Sequence, residues 1–296
     1  MNLNDMIRPE PSIEDIDQAA RLIQKARPSY GPIIEFYGQV FIAQEKSRQA
    51  LELDPILIDS ELLKLKFDNG MPLIDPSQFR IDRIRAESLL KTLCSLASNH
   101  APKLASHARK LQAGLDRLDL DLLFQGILEN RETAIEKAAL DMNMPVHVLM
   151  FFVFLSMAPS LQTCASQLAV YLKDSSEPKK GYCPVCGSHP NAAFLDPEGK
   201  RVLMCSLCAH EWHTRRMGCV FCDSNDTRLQ HYFFNEEEKE YRVYLCDNCQ
   251  NYLKVIDLRV LNRTFVPRLE QIATLHLDMK AREKGYKNAL PGFHDL

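Results

Sequence analysis

The chain has 296 residues, 46% of them apolar and 25% charged, with a formal net charge of −3 and a pI near 6.3. That apolar content can build at least one sizeable core and excludes a disordered tail protein. The acidic balance argues against a generic binder of phosphate backbones, which carries a basic excess.

The first residues show neither the basic nor the apolar segment of a secretory leader, so the chain is expected to stay in a reducing cytoplasm. From about residue 12 to 173 the pattern is helical, with breaks marked by Pro28, Pro32, Pro55, Pro72, Pro76, Pro102, Pro145 and Pro159. Ser12, followed by Glu14, Asp15 and Asp17, opens one helix with Ile13, Ile16, Ala20 and Ile23 at helical spacing. Pro32 suits the first turn of the next, which would carry Ile33, Phe36, Tyr37, Val40 and Phe41 inward. The run 144–158 is the most apolar. At about 15 residues it is shorter than the ~20 a bilayer span needs, so it reads as a buried central helix and no membrane span is expected. Cys94 and Cys164 stand alone in helical contexts and read as small buried hydrophobes. Residues 173–181, polar with Pro and Gly, read as a linker; helical periodicity returns over 267–282, and the tail after Pro291 reads as loose.

Between those stretches lie four Cys-x-x-Cys pairs: Cys183/Cys186, Cys205/Cys208, Cys219/Cys222 and Cys246/Cys249, separated by 18, 10 and 23 residues. Eight of ten cysteines in such doublets point to metal chelation rather than disulfides. Cys-Pro-Val-Cys-Gly-Ser at 183–188 corresponds to Cys-Val-Phe-Cys-Asp-Ser at 219–224, which indicates an internal duplication. Residues 192–195 and 201–204, with Pro197 and Gly199 between them, read as a hairpin; so do 228–234 and 241–245 around the acidic tip 235–240.

Each hairpin would bring two cysteine turns together. That predicts one four-sulfur cage from Cys183, Cys186, Cys205 and Cys208, and another from Cys219, Cys222, Cys246 and Cys249. A cross-braced pairing of first with third and second with fourth doublets is the alternative, and it leaves the hairpins and the repeat without a use. His189, His210, His213 and His231 lie near in sequence, but eight thiolates already fill two tetrahedra, so they are expected to pack or to support the sulfurs. Tyr182, Phe194, Trp212 and Phe221 could form the apolar surroundings. Four thiolates suit zinc and a rubredoxin-type iron equally. A full shell leaves no open position for Lewis-acid chemistry, and each loaded cage would add about −2 to the charge.

Nucleotide-binding and hydrolase fingerprints are missing, with only 11 glycines in the chain. Asp119, Asp121, Glu129 and Glu132, near Arg117 and Arg131, read as solvated ion-pair faces. Arg215 and Arg216 could meet a phosphate or a partner carboxylate.

The knuckles, with the segments Cys-Ser-Leu-Cys-Ala-His-Glu-Trp-His at 205–213 and Leu-Cys-Asp-Asn-Cys-Gln-Asn-Tyr-Leu-Lys at 245–254, resemble the FdhE family, accessory proteins of bacterial formate dehydrogenases. The resemblance implies a cytoplasmic, non-enzymatic factor needed for active respiratory formate dehydrogenase, acting on its catalytic subunit before twin-arginine export. It also implies rubredoxin-like iron, in preference to zinc, at the eight cysteines. The fold class expected is α+β: a helical domain over 1–178, ribbon modules over 179–216 and 217–262, and a C-terminal helix and tail over 263–296. Two other functions stay open, a rubredoxin-like electron carrier and a zinc-ribbon nucleic-acid binder, the acidic charge counting against the second.

Overall fold

The computed structural model describes residues 8–172 and 180–288. The fold is α+β, and its contacts define two compact units. The linker read over 173–181 falls almost wholly outside the described residues, as does the tail after Pro291.

The helical unit comprises residues 12–56 and 75–167. Helix α1 (Ile13–Ala26) starts at Ser12 with a reciprocal capping box to Asp15 and buries Ile16, Ala19, Ala20 and Ile23. In α2 (Gly31–Gln49) Ile34, not Ile33, takes the fully buried place beside Phe36, Val40 and Phe41. The next helix, α3 (Ser60–Asp68), lies outside this unit; α4 (Arg83–His100), α5 (Ala105–Gly114), α6 (Leu120–Leu128), α7 (Glu132–Asp141) and α8 (Val146–Leu168) complete it. Asp119 caps α6, and the acid pairs are surface ion pairs, Arg131–Glu129 at 2.9 Å and Arg83–Asp121 at 3.6 Å.

Pro159, which the pattern predicts to mark a break, sits inside α8. Proline cannot donate to the carbonyl four residues back, so Leu155 O is freed, and the buried Gln44 Nε2 donates to it at 2.7 Å. The uninterrupted helix, with its short extension Val146–Leu172, is therefore longer than the apolar run suggested. It is long and apolar enough to cross a membrane by length and composition, and 78% of its most apolar window is buried inside the protein. Cys94 and Cys164 are buried, and burial pushes the Cys94 thiol up to about 12.

The second unit gathers residues 8–11, 57–74 and 168–288. Residues 57–74, with α3, thus group with the sheet although they fall within the 1–178 segment read as a helical domain. The sheet contains β1 (Pro190–Leu195), β2 (Arg201–Cys205), β3 (Glu211–Thr214), β4 (Gln230–Phe234), β5 (Tyr241–Cys246) and β6 (Asn251–Asp257), in the order β3-β2-β1-β6-β5-β4. Each module is an antiparallel meander of three strands, one strand more than the expected hairpin. The β1–β2 turn closes at Gly199, whose φ of +76° suits glycine. The second hairpin starts at Gln230 because Asp226 caps a short turn over Thr227–Leu229. The modules join where β1 runs parallel to β6, Ala193 opposite Val255 and Leu195 opposite Asp257.

The C-terminal helical stretch divides into α9 (Pro267–Ala273) and α10 (Leu275–Glu283), because Thr274 leaves helical geometry and its hydroxyl donates to Glu270 O at 2.8 Å. Residues directly opposite one another share a face of the sheet. One face packs Phe194, Val202, Tyr241, Val243, Tyr252 and Ile256 against Leu277 and Ala281 of α10. Two buried ionic groups tie the helices down: Lys254 Nζ lies 2.6 Å from Asp278 Oδ2, and Arg263 pairs with Glu270, which also accepts from Tyr241 Oη at 2.5 Å. The short strand β7 (Lys287–Asn288) runs parallel to the start of β6.

Candidate metal centres

The eight cysteines occupy equivalent places in the two meanders. One doublet precedes the first strand of each module, and the other turns the chain from its second strand to its third. Both modules close the first turn alike: Cys183 N donates to Ser188 O and Cys219 N to Ser224 O, each at 2.9 Å. The residue after every doublet has positive φ: Gly187 at +76°, Ala209 at +58°, Asp223 at +59° and Gln250 at +58°. Only Gly187 adopts this without a Cβ penalty; the other three hold it because the turn must wrap its amides round a sulfur. Such contacts are present, Leu207 N and Phe221 N lying 3.4 Å from Cys205 Sγ and Cys219 Sγ.

The sulfurs group as the sequential pairing predicts. Cys183, Cys186, Cys205 and Cys208 form one cluster, and Cys219, Cys222, Cys246 and Cys249 form the other. In the first, Cys183–Cys208, Cys186–Cys205 and Cys186–Cys208 are 3.8, 3.5 and 3.7 Å apart. In the second, Cys219–Cys249 and Cys222–Cys246 are both 3.7 Å apart. A tetrahedron with metal–sulfur bonds of about 2.3 Å has edges of about 3.8 Å, so both clusters are dimensioned for one ion each. Crowding favours a cation too: burial and the neighbouring sulfurs push the Cys183 and Cys208 thiols well up, while hydrogen bonds from its neighbours hold Cys186 down as the thiolate.

The two clusters differ in surroundings. All four cysteines of the first are at most 2% exposed, whereas Cys222 and Cys249 are half-exposed. Residues 73–74 are part of the first site: Leu73 N donates to Pro184 O and Ile74 N to Val185 O, both at 2.9 Å. Sequence reading missed this segment, since nothing in Pro72-Leu73-Ile74 announces a partner more than 100 residues away. At the second site Asn248 Nδ2 lies 3.3 Å from Cys222 Sγ. Desolvation raises the Cys222 thiol, but this amide and the Ser224 N–H outweigh it and hold it at about 7.

No histidine joins either cluster among the described residues. His210 stacks on Trp212, and desolvation pushes its imidazole down to about 4. His213 pairs with Asp196 and His231 with Asp247, at 3.3 and 2.9 Å. Of the four aromatics, Trp212 Nε1 donates to Lys180 O, Tyr182 Oη donates to Gly70 O, Phe194 enters the core under α10, and Phe221 meets His189 edge-on. Arg215 is occupied within the chain, 2.7 Å from Asp223 and donating to Cys219 O at 3.1 Å.

Fold and site together define a helical protein carrying tandem four-cysteine ribbon modules suited to metal ions. Residues 182–216 match the family profile of the FdhE central domain and residues 217–293 that of the FdhE C-terminal domain. An FdhE homolog of Aquifex aeolicus is 27% identical over 90% of this chain and 89% of its own length. Protein FdhE of Escherichia coli K12 is 32% identical over 36% of this chain and 35% of its own length. The crystal structure of the FdhE protein from Pseudomonas aeruginosa shares the fold, with a TM-score of 0.66 at 24% identity over 96% of both chains. The chain is therefore similar to FdhE proteins in its cysteine region by profile, along most of its length by sequence, and in its fold.

Proposed function

We propose that this protein is a cytoplasmic, non-enzymatic accessory factor for the assembly of active respiratory formate dehydrogenase, docking on the catalytic subunit before export. The eight cysteines hold two metal ions, iron in preference to zinc, which keep the docking surface in shape. Similarity to FdhE proteins carries this reading, and the closed sulfur clusters support it, because a cage of four thiolates offers no position to a substrate. The test is an oxygen-free pull-down with the tagged full chain. Capture of a formate dehydrogenase catalytic subunit, lost on Cys→Ser change in either cluster, is the expected result; metal-free variants that still capture it would refute a role for the metal.

The half-exposed Cys222 and Cys249 favour one second reading, an electron carrier with iron in the outer cluster. Zinc in both sites of protein purified without oxygen would exclude it.

A further inference from the structure

The sheet unit buries two basic residues among those described, and only one of them has a carboxylate. Lys254 has Asp278. Arg201, 2% exposed, makes a single hydrogen bond, from Nη2 to Gly218 O at 3.2 Å, and its Nε is buried with no partner. Burial lowers its pKa to about 10, which leaves it a cation at neutral pH. No carboxylate offsets this buried charge, and Tyr244 and the Cys219 sulfur act on it only through space.

Arg201 stands in the wall of a cavity of about 210 Å³ on the face of the sheet opposite α10. Tyr244 and Leu253, opposite each other across β5 and β6, line it. The turn from Gly218 to Phe221, Tyr232 and a second cation, Arg216, also line it. Not one Asp or Glu lines it, in a chain whose acids outnumber its Lys and Arg. Cys219 and Cys246 reach the wall, but Arg201 has no hydrogen bond to either sulfur. The volume holds a single ring, and its apolar, aromatic lining is that of a small-molecule pocket with a few placed polar groups.

We propose that this cavity binds a small organic anion, a carboxylate or phosphate ester on a flat apolar body, with the anion on Arg201 and the body against Tyr244. Arginine presents its donors in a planar fork that fits either oxyanion.

The test is calorimetric titration of the full, metal-loaded chain with benzoate, phenyl phosphate, inorganic phosphate and benzyl alcohol, alongside amide NMR shifts. The expected result is saturable binding of benzoate or phenyl phosphate, with benzyl alcohol at least about tenfold weaker, ~1.4 kcal/mol, and shifts centred on Gly218, Tyr244 and Leu253. Preference for benzoate assigns a carboxylate ligand; preference for phenyl phosphate assigns an ester. Arg201→Gln should weaken the anion about tenfold or more at unchanged metal content, and Arg201→Lys should recover part of the loss. If Arg201→Gln loses metal, the native chain alone decides. No saturation, benzyl alcohol or inorganic phosphate binding as well as the ring anions, or shifts centred elsewhere would each overturn the proposal.

Discussion

The two sulfur clusters have the same four ligand types, the same turns and nearly the same sulfur spacing, yet one is part of the core and the other part of the surface. Leu73 and Ile74 hydrogen-bond the carbonyls of the first knuckle, and all four of its cysteines are buried. The first knuckle of the second cluster receives Arg215 at Cys219 O, and two of the four cysteines there stay half-exposed. Ligand type and spacing set the coordination number; the packing around the ligands sets access and stability.

The sharpest way to test this contrast is to break each cage in turn. Metal binding to such a site is worth on the order of 10 kcal/mol, most of it folding free energy in a small module. Cys205→Ser should therefore abolish the cooperative melting of the sheet unit, whereas Cys249→Ser should remove one equivalent of metal and leave a transition from β1–β3. Equal loss from the two variants, by calorimetry and metal analysis, would contradict the contrast. In the unaltered protein a chelator should withdraw metal in two phases, the outer cluster about tenfold faster, since attack requires an exposed sulfur edge. Single-phase release would show the two surroundings to be equivalent.

A smaller effect is expected where the modules join. Asp257 sits opposite Leu195 at the β1–β6 junction, and the Arg259 guanidinium, with Arg242 behind it, holds its carboxyl below the usual value. A depressed carboxylate stabilises the fold fully above its unfolded pKa, and that stability is lost as pH falls through the folded one, here below about pH 4. Acid melts should uncouple the modules in that range, and Arg259→Met should flatten the dependence. The smallest change is Ala209→Gly. Relief of the +58° backbone should raise the stability of the Cys205–Cys208 knuckle by about 0.5–1 kcal/mol, read as a small rise in Tm.

Legibility from sequence followed the range of the interaction. Doublet spacing, the internal repeat, the Ser12 cap and the Pro197–Gly199 turn act over a few residues, and each appears in the structure as read. Departures came where a partner lies far along the chain, and once where a side chain turns back on its own backbone. Pro159 looked like a break because its partner in compensation, Gln44, is 115 residues away. The helix over 267–282 looked continuous because periodicity does not register the Thr274 hydroxyl turning back on its own backbone. In sequence Arg201 reads only as the start of the 201–204 strand, since the cavity beside it is made largely by strands and a knuckle from the other module.

The sequence by itself determined the eight candidate ligands, their grouping into two sulfur clusters and the hairpins that close them, because bringing adjacent cysteine turns together depends on local spacing. Tertiary structure alone decided that the two meanders fuse through a parallel β1–β6 pair, that residues 57–74 group with the sheet, and that one cage is sealed while the other meets solvent. Those outcomes rest on pairings between distant segments, which many alternative partners could satisfy on local pattern alone and which only simultaneous packing of the whole unit selects.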